Sequence, residues 1–272
     1  MNRKYWIIGV WAIALWIACK PAAIAQHSHT HPETDSPTME RSFQAKLSVP
    51  DEIAPGSNFK ATIHIQDDKG QWISDFDIFQ EKLMHLILVR DDLEFFSHLH
   101  PEYNGKGDFQ IETSVPSPGS YTFFCDYQPA GAKEQISVLK LVVKGTLPSV
   151  DRPNVGATMK IIADTKVEIS FSPKIAKANQ NIVIAFDLKQ TANDLPVQGL
   201  RLYLGEKGHL VIIKNTATLD AGNYIHAHAT KEGGTSQIRF MTRFPEVGLY
   251  KLWCQFDLNG NIRTADFWVN VE

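Results

Sequence analysis

The stretch His85-Leu-Ile-Leu-Val89 decides the fold of this chain, because it opens a pattern that occurs twice. In the first half it is followed by Phe96-Ser-His98-Leu-His100 and Gly119-Ser-Tyr121-Thr-Phe-Phe-Cys125. The second half reads His209-Leu-Val-Ile-Ile213, Tyr224-Ile-His226-Ala-His228 and Gly248-Leu-Tyr250-Lys-Leu-Trp-Cys254. The order of His, His-x-His and Gly-x-Tyr-x-x-x-Cys is the same in both halves. The chain is therefore predicted to contain two copies of one domain.

Short apolar or alternating runs separated by turn residues predict an all-β fold. Phe59 to Ile65 alternates as a half-buried strand does, and Asp67-Asp-Lys-Gly70 is typical of a turn. No helical stretch of any length interrupts the strands. We expect two tandem antiparallel Ig-like β-sandwiches. The predicted domains are residues 43–145 and 158–272, joined by a linker at 146–157 that is rich in proline and glycine.

The N-terminal segment predicts export. Residues 1–25 combine a basic start, a short apolar core and an Ala-x-Ala ending, which is typical of a signal peptide. Two alternatives stay open, an uncleaved membrane anchor and lipid attachment at Cys19. Either way, the protein is expected in the periplasm or outside the cell. Residues 26–42 are polar and predict a disordered linker, in which His27, His29 and His31 could capture metal weakly.

The repeated histidines and cysteines predict metal binding. Residues two apart on a strand share a face, so each His-x-His offers two ligands. The sequence predicts one His/Cys site per domain, with the ligands His85, His98, His100 and Cys125 in the first and His209, His226, His228 and Cys254 in the second. Imidazole with thiolate suits copper, with zinc as the alternative. The cysteines could instead be buried thiols or an interdomain disulfide. His64 has no counterpart and is interpreted as a surface residue.

The pattern resembles known copper proteins. A β-sandwich with His and Cys on neighbouring strands is similar to the cupredoxins. The repeats also resemble exported YtkA-like domains and copper-handling proteins with His-Leu-x-x-Val and His-x-His-Pro segments, over about residues 45–145 and 158–272. In cupredoxins the Cys precedes a late His, whereas here every His comes first. The resemblance therefore implies copper binding or delivery rather than a blue electron-transfer centre.

Charge and motifs narrow the function classes. A net charge of −3 without a basic stripe argues against nucleic acid as a partner. The chain lacks Gly-x-Ser-x-Gly and His-Glu-x-x-His, so no enzyme is predicted. We expect an exported protein for metal capture, delivery or resistance, with the metal ion and another metal-handling protein of the cell envelope as partners. The alternative is a structural or interaction pair of Ig-like domains that binds no metal.

Overall fold

The described part of the chain is all-β. The computed structural model describes residues 43–149 and 152–272. The predicted signal peptide and the whole of the predicted histidine-rich linker therefore lie outside the described residues. Apart from one 3-10 turn at Ala221–Asn223, the regular elements in the described ranges are strands. No helix in these ranges has the length and apolar character needed to cross a membrane.

The first domain is a sandwich of two antiparallel sheets. One sheet has the order β1-β2-β7-β6, and the other has the order β3-β8-β4-β5 with β9 also paired to β8. The strands are β1 (Phe43–Ser48), β2 (Phe59–Asp67), β3 (Phe76–Asp77), β4 (Met84–Arg90), β5 (Phe96–Leu99), β6 (Glu102–Tyr103), β7 (Asp108–Thr113), β8 (Gly119–Pro129) and β9 (Gln135–Val143).

The second domain repeats this plan. Its sheets have the orders β10-β11-β12-β16 and β13-β17-β14-β15, and β18 pairs with β17. The strands are β10 (Met159–Ile162), β11 (Thr165–Ser172), β12 (Asn181–Gln190), β13 (Leu200–Arg201), β14 (His209–Lys214), β15 (Tyr224–His228), β16 (Gln237–Arg243), β17 (Gly248–Leu258) and β18 (Asn261–Val271). The predicted tandem Ig-like sandwich fold is confirmed.

The same corner opens the long strand of each domain. Gly119 and Gly248 have φ values of 145° and 137°, a backbone conformation that side chains with a Cβ rarely adopt. Two residues later, the hydroxyls of Tyr121 and Tyr250 donate to backbone carbonyls four residues upstream. A tyrosine bonded back in this way is a hallmark of Ig-like sandwiches. The Gly-x-Tyr part of the repeat thus encodes a turn and its anchor.

The two sandwiches form part of one compact unit and pack through their β4 and β14 sheets. Each domain has its own core between its two sheets. A third apolar cluster joins the domains and contains Ile87, Val89 and Phe124 together with Val211, Ile213 and Trp253. Two parallel aromatic stacks cross this interface, Phe96 on Trp253 and Phe124 on Tyr224, with ring centroids 4.8 and 4.9 Å apart. Because both faces of β4 are covered, all seven of its residues are buried.

Candidate metal centre

The histidines of both halves lie on the interdomain faces of their sheets. In the register of β4 and β5, Ile87 pairs with His98, and Ile87 belongs to the interdomain cluster. In the second domain, Val211 pairs with His226 in the same way. Since directly paired residues share a face, each set of histidines points at the other domain. Ring centroids across the interface are 5.4 Å apart for His85 and His226 and 5.9 Å for His98 and His209.

Three histidines of the first domain could hold a metal ion. One ligand nitrogen each of His85, His98 and His100 lies within 4.8 Å of the others. The two nearest are His85 Nδ1 and His98 Nε2, which are 3.0 Å apart. Two nitrogens bound to one tetrahedral zinc ion would be about 3.3 Å apart. This pair of nitrogens is therefore close to the spacing that an ion requires.

The outward nitrogens of four histidines each meet a hydrogen-bond acceptor. His85 Nε2 lies 3.3 Å from the Phe79 carbonyl oxygen, and His209 Nε2 lies 2.8 Å from the Tyr203 carbonyl oxygen. Each of these carbonyls belongs to the residue six positions before its histidine. An N–H that donates outward leaves the lone pair of the other ring nitrogen directed inward, as in metal-ligating histidines.

The other two acceptors cross the interface. His98 Nδ1 lies 2.7 Å from Gln255 Oε1, and His226 Nδ1 lies 3.1 Å from Asp126 Oδ2. The Gln255 amide nitrogen donates to Thr264, which fixes the amide oxygen toward His98. Asp126 and Gln255 are the residues that follow the two repeated cysteines. Each domain thus orients the first histidine of the other domain's His-x-His pair.

The inward nitrogens either face each other, as those of His85 and His98 do, or have no hydrogen-bond partner. When His85 and His98 donate outward, their facing nitrogens are both lone pairs at 3.0 Å. His100 Nε2, His209 Nδ1 and His226 Nε2 are also buried with no hydrogen-bond partner. Buried polar nitrogens are normally satisfied, so a cluster of them marks a position for a cation.

The environment keeps these imidazoles neutral. Burial, followed by neighbouring histidines, lowers the pKa of His85 to about 2. Burial also lowers the pKa values of His100, His209 and His226 to about 4, and it lowers those of His98 and His228. A neutral imidazole is the form that binds metal. The lone pairs are therefore available at neutral pH.

The cysteines do not join the histidines, and the expectation of one His/Cys site per domain is wrong. Cys125 pairs with Leu86 and Cys254 pairs with Leu210, and all four residues lie in the cores of their own sandwiches. Since successive residues on a strand point to opposite faces, the interdomain side of β8 carries Asp126 rather than Cys125. Burial raises the pKa of both thiols. Both cysteines are free, so the interdomain disulfide is also excluded and the buried-thiol alternative is confirmed.

The other histidines of the chain lie outside the cluster or outside the described residues. His64 lies outside the cluster, where its ring bonds to Asp108. The tail histidines His27, His29 and His31 fall outside the described residues. The sequence analysis missed Asp126 and Gln255, which orient the histidines. Their position next to a core-facing cysteine was the available signal, because strand alternation turns them away from the core.

The family of the chain follows from a match that covers most of it. The chain belongs to the family described as Domain of unknown function (DUF8832), whose model matches it twice, over residues 42–144 and 160–272. The match agrees with the repeat seen in the sequence and in the strand order. It does not connect the chain with cupredoxins or other copper-handling proteins, so that resemblance stays a prediction.

Solved structures with a similar arrangement of strands are distant. Three N-terminal domains of the bacteriophage RB49 outer capsid protein Hoc are 10% identical, with a TM-score of 0.22 and coverage of 85% of this chain and 59% of that one. Invasin, a bacterial integrin-binding protein, is 13% identical, with a TM-score of 0.23 and coverage of 82% and 39%. A two-domain fibronectin type III segment of chicken tenascin is 10% identical, with a TM-score of 0.26 and coverage of 84% and 99%. The chain thus spans less than two thirds of the length of the first two of these structures. No curated protein matches the chain in sequence.

Proposed function

We propose that this protein is an exported metal-binding protein that holds copper between its two domains, for metal capture, delivery or resistance. The observation that carries the proposal is the pair His85 Nδ1 and His98 Nε2. These two nitrogens face each other at 3.0 Å while their opposite ring nitrogens have acceptors at 3.3 and 2.7 Å. Two facing lone pairs repel each other, and a cation bound to both removes the repulsion.

The ligand chemistry supports copper, with zinc as the alternative. The triad offers imidazole nitrogens alone, since the thiols lie in the sandwich cores. Imidazole suits copper, zinc, iron and nickel, and copper has the highest intrinsic affinity among the divalent ions of this series. Calcium and magnesium prefer oxygen ligands and fit poorly here.

The surroundings of the triad support binding and exchange rather than catalysis. A cavity of about 530 Å³ reaches His98 and Gln255 at the interface and is also lined by Lys251. Such a cavity gives an ion, or a side chain of another metal-handling protein of the cell envelope, a route to the triad. Neither half carries a catalytic motif, so the proposed role remains that of a carrier.

A copper titration tests this proposal. Purified protein in which His27, His29 and His31 are replaced by alanine would be titrated with Cu⁺ against a chromophoric chelator, followed by metal analysis. We expect tight binding that survives loss of the tail histidines and that falls at least tenfold when His85→Ala and His98→Ala are combined. His64→Ala is the matched control, because it removes a histidine of the same chain outside the cluster.

Loss of metal binding together with the tail histidines would contradict the proposal. If copper and zinc binding disappear with the tail histidines, the buried cluster is structural and the protein is a pair of Ig-like domains with a histidine-rich tether. Circular dichroism of the double variant would confirm that any loss of metal is not a loss of fold.

A further inference from the structure

Two ring separations within the histidine set of the second domain are close to their counterparts in the first triad. Ring centroids are 5.3 Å apart for His85 and His98, and 5.7 Å apart for their counterparts His209 and His226. The His-x-His pairs are similar too, at 4.8 Å in the first domain and 5.2 Å in the second. Both of these separations are larger by 0.4 Å in the second domain. In these two pairs the second set is thus slightly wider than the first.

The inward atoms of this second set are buried and have no partner. His209 is 1% exposed and its Nδ1 has no hydrogen bond, although its Nε2 is held by the Tyr203 carbonyl. The His226 side chain is 2% exposed and its Nε2 likewise has no partner, although its Nδ1 is held by Asp126. Both histidines therefore have one anchored nitrogen and one free nitrogen, as ligands of a metal ion do.

The second set differs from the first in its surroundings. His228 is an exposed residue at the rim, whereas its counterpart His100 has a buried Nε2. Asp126, from the first domain, is fully buried beside His226. The outer partner of His226 is thus a carboxylate, whereas the outer partner of His98 is the neutral amide of Gln255.

We propose that His209, His226 and His228 hold a second metal ion next to the first, so that the interface contains a two-metal centre with unequal sites. This inference rests on the proposed function, because it extends the same cluster. The two sites are adjacent. The ring centroid of His85 in the first site lies 5.4 Å from that of His226 and 6.2 Å from that of His209 in the second. The second ion binds more weakly, because its ligands are farther apart and one of them is exposed.

Stoichiometry tests the second site. The protein lacking the tail histidines would be titrated with Cu²⁺ and, separately, with Zn²⁺, and the metal retained after gel filtration would be counted. We expect two equivalents that fill in sequence. His228→Ala should weaken the second equivalent at least tenfold and leave the first unchanged, and its rim position makes loss of folding a minor concern.

The orienting residues provide a matched pair of variants. Asp126→Ala removes the acceptor of His226, and Gln255→Ala removes the acceptor of His98. Outer partners of metal ligands are typically worth 10- to 100-fold in affinity. We therefore expect Asp126→Ala to weaken the second equivalent by about that factor, and Gln255→Ala to weaken the first.

The outcomes separate the two proposals. One equivalent that His228→Ala and Asp126→Ala leave unchanged overturns the second site, while the proposed function stands. One equivalent that is lost in every variant also overturns it and indicates a single ion shared by both domains. No retained metal in any form of the protein overturns both proposals.

Discussion

The two domains bring matching histidines to one interface but support them differently. After the cysteine, the first domain has Asp126 and the second has Gln255, so one side of the cluster carries a carboxylate and the other carries a neutral amide. The rim histidine is buried in the first domain at its Nε2 and exposed in the second. The repeat thus keeps the imidazoles and varies the residues that orient them. This difference makes the two halves of the centre chemically unequal.

The largest expected loss of stability comes from removing the aromatic stacks that join the two domains. Trp253→Ala and Phe124→Ala should each lower the free energy of unfolding by about 3–5 kcal/mol, because each removes a buried ring from the interdomain cluster. Urea denaturation followed by tryptophan fluorescence and circular dichroism would measure this loss. Copper affinity should fall as well, since the cross-domain acceptors lose their alignment. Losses below about 1 kcal/mol for both variants would mean that the domains do not pack through these sheets.

An intermediate effect is expected at the repeated cysteines. Cys125→Ser and Cys254→Ser should each cost about 1–3 kcal/mol, because a hydroxyl replaces a thiol in an apolar core without a partner. Metal stoichiometry should stay the same in both variants. The measurement is chemical denaturation paired with metal analysis, with the corresponding alanine variants as controls for side-chain volume. A selective loss of metal in either serine variant would contradict this prediction and indicate that the thiolate is a metal ligand.

The smallest effect is expected at the two corner tyrosines. Tyr121→Phe and Tyr250→Phe each remove one hydrogen bond, to the Ser117 carbonyl at 2.7 Å and the Glu246 carbonyl at 2.8 Å. We expect a loss of about 0.5–1.5 kcal/mol in each case. Tyr121 also lies 3.3 Å from the Ser117 hydroxyl, so its variant should be the more affected of the two. Thermal unfolding of both variants side by side would show whether this order holds or is reversed.

Much of the fold could be predicted because it depends on local patterns. The alternation in β2, the turns and the repeated Gly-x-Tyr motif all gave the correct all-β class. The continuous apolar run of β4 is typical of a central strand of a sandwich, and in the structure its second face is covered by the other domain. The pattern of one strand shows that both faces are covered, but it does not show what covers them.

The candidate site could be predicted only in part. The six histidines were found because the repeat preserves them at matching positions. Their grouping with the cysteines was wrong, since it required knowing how β4, β5 and β8 align. A shift of one residue in this register would have moved Cys125 to the face of His85.

The sequence by itself determined that there are two sandwiches, which residues alternate on each strand and which side chains can bind a metal. These properties depend on backbone periodicity and side-chain chemistry, which are local. Only the tertiary structure decided that the histidines of both domains meet in one cluster, with Asp126 and Gln255 reaching across to orient them. That arrangement depends on the packing of two sheets against each other, and such packing joins residues about 100 and 157 positions apart in the chain.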